Sequence, residues 1–132
     1  MKKLLGAAIF LVTLVTGVLS GTVVRRYVVD GRSMLRAFSP GDRLLVERVS
    51  YRLRAPRVSE AVVVRQRGVE GRPDLKRIAA GPGMNVEVRG ANHLLGRDEW
   101  YVLGDNMDES TDSRLLGPVK TRDVIGRVWF KY

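Results

Sequence analysis

Few side chains in this 132-residue sequence could carry covalent chemistry. It has no cysteine and one histidine, His93. Thiol nucleophiles, thiolate metal sites, disulfides and multi-histidine metal centres are therefore excluded, and a Ser-His-Asp triad would have to use that one imidazole. A hydrolytic centre would more readily take its base from a carboxylate or a lysine. Lysine is scarce: five stand against eighteen arginines, and beyond Lys2 and Lys3 only Lys76, Lys120 and Lys131 remain. Lys76 follows Leu75 and is followed closely by Ile78, Ala79 and Ala80. A lysine on the inward face of such a strand is desolvated, and burial favours a neutral amine. A neutral amine can take the proton of a serine hydroxyl, which an arginine cannot. Ser33, in the stretch GRSM, is a candidate nucleophile. Taken alone, Ser33 reads rather as a turn or cap residue, and Lys76 rather as a surface lysine beside Arg77.

A second chemistry-bearing stretch runs from Asp105 to Arg114, where DNMDESTDSR packs short polar side chains into one loop. Loops of this kind on a rigid β scaffold often carry function, although an Asx-rich turn explains the Asp and Asn residues as well. Three boxes thus stand in order: GRSM at Gly31–Met34, DLKRIAAGPG at Asp74–Gly83 and GDNMDESTDSR at Gly104–Arg114. Together with SPGDRLLVE (Ser39–Glu47), RVSEAVVV (Arg57–Val64) and LGPVKTRDVIGRV (Leu116–Val128), they resemble the type I signal peptidase family over nearly all of the chain after residue 26.

The resemblance implies a serine endopeptidase that removes signal peptides from exported precursors, with no cofactor and no metal. Ser33 would be the nucleophile and Lys76 the general base. Ser110 would hydrogen-bond and orient the lysine, Asp112 and Arg114 would form an ion pair that stiffens the site, and Asp105 with Asn106 would set the turn. The Ser33 backbone N–H would donate to the oxyanion. Many relatives carry a serine at the position of Gly31, so the second oxyanion donor is unassigned; Met34 would line the substrate pocket. The chain departs from the family pattern at Leu35–Phe38, where Pro-Thr is usual after Ser-Met plus one residue. Ser59 and Glu60 replace Gly-Asp, and Met84 replaces Asp. Two rival readings are a maturation peptidase of the same family that trims one dedicated precursor, and an inactive membrane-tethered β module that binds peptides.

The elements that must position these residues are short and β-rich. The runs TVVRRYVVDG, DRLLVERVSY, EAVVVRQ, LKRIAAG, MNVEVRG, EWYVLGD and DVIGRVWFKY are separated by Gly-, Pro-, Asp- and Asn-bearing turns. The pattern predicts an all-β domain, a small barrel or sandwich, over residues 27–132. Ahead of it, Leu4–Val24 carries no charge over 21 residues. As a helix that is about 30 Å, the thickness of a bilayer core, so residues 1–26 are expected to be a stub and single transmembrane anchor rather than a cleaved signal. Basic residues flank both ends. The short stub favours its placement inside and the catalytic domain on the extracytoplasmic side. The net charge of +9 is scattered, with no Lys/Arg block and no interleaved aromatics. That argues against nucleic acid and for a basic face on anionic lipid. The oligomeric state is not legible. Expected partners are signal-peptide-bearing precursors and the lipid bilayer.

Overall fold

The computed structural model describes residues 24–67 and 72–132, together with residues 5, 8, 9, 11 and 12, which are helical. Nine strands follow among the described residues: β1 (Val24–Val28), β2 (Arg43–Glu47), β3 (Ala61–Val64), β4 (Asp74–Ala80), β5 (Asn85–Val88), β6 (Ala91–Leu94), β7 (Glu99–Leu103), β8 (Val119–Lys120) and β9 (Val124–Lys131). Two single-turn helices, α1 (Ser50–Leu53) and α2 (Ser113–Leu116), interrupt them. Seven strands form one antiparallel sheet in the order β1-β2-β9-β3-β4-β7-β8, and β5 pairs with β6 as a separate hairpin.

The apolar run of β3 explains the centre of this sheet. Successive side chains on a strand point to opposite faces. Val62 and Val64 join Ile78, Trp100, Val102, Val119 and Val124 in one core cluster, whereas Val63 joins Val29, Met34, Leu44, Val46 and Leu75 in another. The middle strands are thus buried on both sides, which suits the uninterrupted Val62-Val63-Val64. The all-β expectation holds. Instead of a closed barrel or a two-sheet sandwich, the strands make a curled half-barrel whose hydrogen-bonded order ends at β1 and β8. Register shifts at Leu45/Val46, Val63/Val64 and Ile78/Ala80 supply the bend, since an extra residue on one strand kinks it and increases its twist.

The chain enters the sheet early. Arg25 and Arg26, expected to border the anchor, already pair with Val46 and Leu45. The transmembrane span anticipated over Leu4–Val24 lies for the most part outside the described residues. Among those described, no helix is long and apolar enough to cross a membrane.

Candidate active site

Ser33 sits in the loop between β1 and β2, which winds tightly: the N–H groups of Ala37 and Phe38 both donate to the Met34 carbonyl, at 3.2 and 2.8 Å. The loop is pinned by Met34, 1% exposed and packed in the cluster that holds Val29, Leu44 and Leu75. Gly31 precedes the winding with φ +85°, a left-handed conformation that glycine adopts without a Cβ penalty. Met34 therefore lies in the core, and Gly31 serves the backbone path to Ser33. Ser33 itself is half-buried.

This loop is stitched to the polar segment after β7. The Asn106 N–H donates to the Ser33 carbonyl at 2.8 Å, and Asn106 Nδ2 to the Arg32 carbonyl at 3.0 Å. The Asp105 N–H donates to Met34 Sδ at 3.4 Å. Two of the three sequence boxes, 71 or more residues apart along the chain, thus meet through these contacts.

The third box enters through strand register. β4 pairs with β7 so that Arg77 faces Leu103 and Ile78 faces Val102. Carried one step on, this antiparallel register sets Lys76 opposite Gly104. Cross-strand partners project to the same face. A Cβ built on Gly104 would lie 2.2 Å from Ser110 Oγ and 2.6 Å from the Ser33 carbonyl oxygen. The space that a side chain at residue 104 would fill is therefore taken by Ser110 and Ser33, on the face to which Lys76 projects. Glycine is needed at this position because those two groups close in on it. Lys76 itself is 1% exposed, beside its β3 partner Val62. Its ammonium donates to Asp74 Oδ2 at 2.7 Å, since residues two apart on a strand share a face. Among the described residues no hydrogen bond joins Lys76 to Ser33 or Ser110.

Asp112 organises the polar loop. Its buried carboxylate accepts from the Ser110 hydroxyl at 2.7 Å, the Gly104 N–H at 3.0 Å and Arg114 Nε at 2.9 Å. Arg114 also donates to the Met107 and Ser110 carbonyls, closing the loop on itself. Burial alone would raise the Asp112 pKa. The Arg114 guanidinium, the Gly104 N–H and the Ser110 hydroxyl outweigh it and hold the group below its ordinary value. Asp112 thus stays an anion in the protein interior because three donors converge on it.

Three further residues complete the frame, and the sequence alone singled out none of them for these roles. Arg77, next to Lys76 but on the opposite face, makes a two-pronged contact with Asp105 at 2.8 and 2.7 Å and donates to the Ser59 carbonyl. This pair ties β4 to the start of the polar loop. Strand alternation carries the signal: if Lys76 points inward, Arg77 cannot share its side. Asp74 is visible by the same spacing rule once β4 is known. Gly104 reads in sequence only as part of a turn.

Comparison with known proteins bears on what such an arrangement does. A family model described as signal peptidase, peptidase S26, matches residues 2–95 and 91–132. The chain is 30% identical over 139 residues to the probable signal peptidase I-1 of Synechocystis sp., covering 81% of this chain and 69% of that protein. It is 27% identical to the signal peptidase I of Leptolyngbya laminosa, covering 92% and 74%. It is 28% identical to the chloroplastic thylakoidal processing peptidase 1 of Arabidopsis thaliana, covering 79% and 40%.

Proposed function

This chain belongs to the signal peptidase family, peptidase S26, and we propose that it removes N-terminal signal peptides from exported precursors as a membrane-anchored serine endopeptidase. In this reading Ser33 is the nucleophile and Lys76 the general base. The apolar segment ahead of β1 is the single anchor, and the sheet stands on the extracytoplasmic side. One observation carries the assignment of the pair: Lys76, almost fully buried, projects to the same side of the sheet as the Gly104 gap, into which Ser110 and the Ser33 backbone press.

The chemistry is acyl transfer. Ser33 Oγ attacks the scissile carbonyl while Lys76, after releasing one ammonium proton to solvent and exchanging its Asp74 contact for the serine hydroxyl, takes the hydroxyl proton. The tetrahedral oxyanion is met by the Ser33 backbone N–H. On collapse the C–N bond breaks and the lysine returns its proton to the departing amine, leaving an acyl-serine. The same amine then deprotonates a water, which adds to the ester; the C–O bond breaks and Ser33 recovers its proton. Ser110, held by Asp112, packs beside this exchange and keeps the lysine in place.

The test is cleavage of a signal-peptide-bearing precursor by wild type, Ser33→Ala and Lys76→Ala. Each substitution is expected to abolish cleavage while the thermal melt is retained. The double variant is expected to be no worse than either single one, because members of one catalytic unit are not additive. Substantial turnover in either single variant would sink the dyad.

A further inference from the structure

The Ser33 backbone N–H is the group to which the proposed reaction assigns the oxyanion. Among the described residues this N–H has no acceptor, whereas its peptide plane is held from the other end. A trans peptide bond is flat, so its carbonyl oxygen and its N–H point in opposite directions and turn together. The plane that carries the Ser33 N–H also carries the Arg32 carbonyl, which accepts from the Leu35 N–H at 3.2 Å and from Asn106 Nδ2 at 3.0 Å. The next plane carries the Ser33 carbonyl, which accepts from the Asn106 N–H at 2.8 Å. Both peptide planes that flank the Ser33 α-carbon are thus pinned by one residue, once through its side chain and once through its backbone.

The Asn106 amide fits this place only one way round. Its NH2 end donates and its oxygen accepts. Besides the Arg32 carbonyl, the same nitrogen meets Glu109 Oε2 at 2.8 Å. Two acceptors on one side are satisfied only by the NH2 end, one proton to each. Asn106 leads into a single 3₁₀ turn (Met107–Glu109), and side chains three apart in such a turn eclipse, which brings Glu109 over the amide. The Glu109 N–H closes the turn on the Asn106 carbonyl at 3.1 Å. Arg32 Nε lies 3.1 Å from the same Glu109 oxygen, so Arg32 enters the ring twice, by its carbonyl and by its guanidinium. Both members of this ion pair are exposed, and such a pair adds little to stability. Its effect is geometric, since it keeps a carboxylate on the side to which the amide must turn its donors.

We propose that Asn106, its amide oriented by Glu109 and Arg32, is a positioning residue that aims the Ser33 N–H at the oxyanion. The proposal rests on the endopeptidase reading above. The aim matters most in the transition state, where charge has developed on the substrate's carbonyl oxygen, and less in the bound substrate. No bond to Asn106 forms or breaks, and the Lys76 amine is not touched.

The experiment measures kcat, KM and the pH dependence of kcat/KM on one precursor peptide, for wild type and three variants of the full chain. Asn106→Leu keeps the volume and removes the donor; kcat is expected to fall about 100-fold with KM within about threefold of wild type. The pH below which kcat/KM declines should be that of wild type, because the base is undisturbed. Glu109→Leu frees the amide to turn and should lower kcat about tenfold. Glu109→Gln still offers the amide an oxygen and should bring kcat back to within about threefold of wild type, since the surface ion pair it gives up is worth little. A kcat within about threefold of wild type in Asn106→Leu overturns the proposal and leaves the endopeptidase standing. So does a raised KM with kcat kept, which makes Asn106 a substrate-binding group, or a displaced pH limb, which makes it a prop of the dyad. If Asn106→Leu does not fold, the Glu109 variants decide, and equal kcat in the two overturns the proposal. A peptide boronic acid of the same sequence forms a tetrahedral adduct with a reactive serine, read by boron NMR. Wild type that neither cleaves the peptide nor forms this adduct sinks the endopeptidase and the proposal together.

Discussion

At Gly104 a single missing methyl group holds two boxes together. The Ser110 side chain and the Ser33 carbonyl oxygen both lie where a Cβ would stand, at 2.2 and 2.6 Å. Gly104→Ala must push them apart or shift the backbone at the end of β7. Overpacking of this kind costs about 1–3 kcal/mol, which the fold can survive. Displacing a nucleophile or its base by 1 Å costs about 100-fold in rate. The expected outcome is a protein that still melts cooperatively but cleaves at least about 100-fold more slowly when assayed well below its Tm. A variant with near wild-type turnover would show that Ser110 and Ser33 need not approach so closely. The identity of the candidate residues was legible beforehand, since Ser33, Lys76, Ser110, Asp112 and Arg114 stand in recognisable order. What the sequence withheld was who holds whom. Lys76 is met by Asp74 and Ser110 by Asp112, contacts that depend on strand phase and loop closure rather than on residue type.

Among the elements, the approach to β3 contains a residue at odds with its backbone. Ser59 has φ +79°, where the family usually has glycine, and its N–H and carbonyl are both committed, to Ile78 and Arg77. A side chain in the left-handed region costs about 1–2 kcal/mol. Ser59→Gly is expected to stabilise the protein by about 1 kcal/mol, a rise in Tm of roughly 4–8 °C for a domain of this size; a fall in Tm would refute the strain. The pairing of β7 with β8 gives a different handle. Glu99 lies opposite Lys120, accepts from the Gly96 N–H at 3.0 Å and sits 2.8 Å from His93 Nε2. Gly96 first, then His93 and Lys120, hold its pKa down to about 2. The folded state thus binds this proton less readily than the unfolded chain. The stabilisation is whole above about pH 4.5 and is lost as pH falls towards about 2. Denaturant melts between these limits should show stability declining, with a shallower slope in Glu99→Gln. Seven of the nine strands follow runs that the sequence already marked. The other two did not: Ala91–Leu94 lacks β-branched residues, and Val119–Lys120 is two residues long. Ala91–Leu94 becomes a strand because Arg89 and Gly90, at φ +51° and +79°, fold the chain back on β5 in a tight two-residue turn.

At the scale of the whole molecule, strand pairing already begins at Val24, the last residue of the apolar run, so in sequence no linker stands between the proposed anchor and the sheet. In the proposed reading Ser33 would then be held at a fixed height over the membrane, the depth at which a membrane-inserted signal peptide would present its cleavage point. Sharing one bilayer raises the effective concentration of the two partners. A flexible insert of about twenty residues placed ahead of Val24 would span a coil of about 25 Å and relax that height. In vesicles it should slow cleavage of membrane-inserted precursors far more than that of a short soluble peptide; equal slowing of both would mean that the anchor only retains the enzyme. The order of the strands also sets a clock. β9, the last strand in the chain, lies between β2 and β3, and Arg127 reaches back 80 residues to Glu47. Before residues 124–131 have been synthesised, the two halves of the sheet have no common neighbour, and pairing at such separation is slow. A chain truncated ahead of residue 124 should be digested readily by added protease, and one that includes residues 124–132 should resist. The proposed Ser33 and Lys76 stand on opposite sides of that missing strand, so in this reading the site would assemble only once β9 is in place.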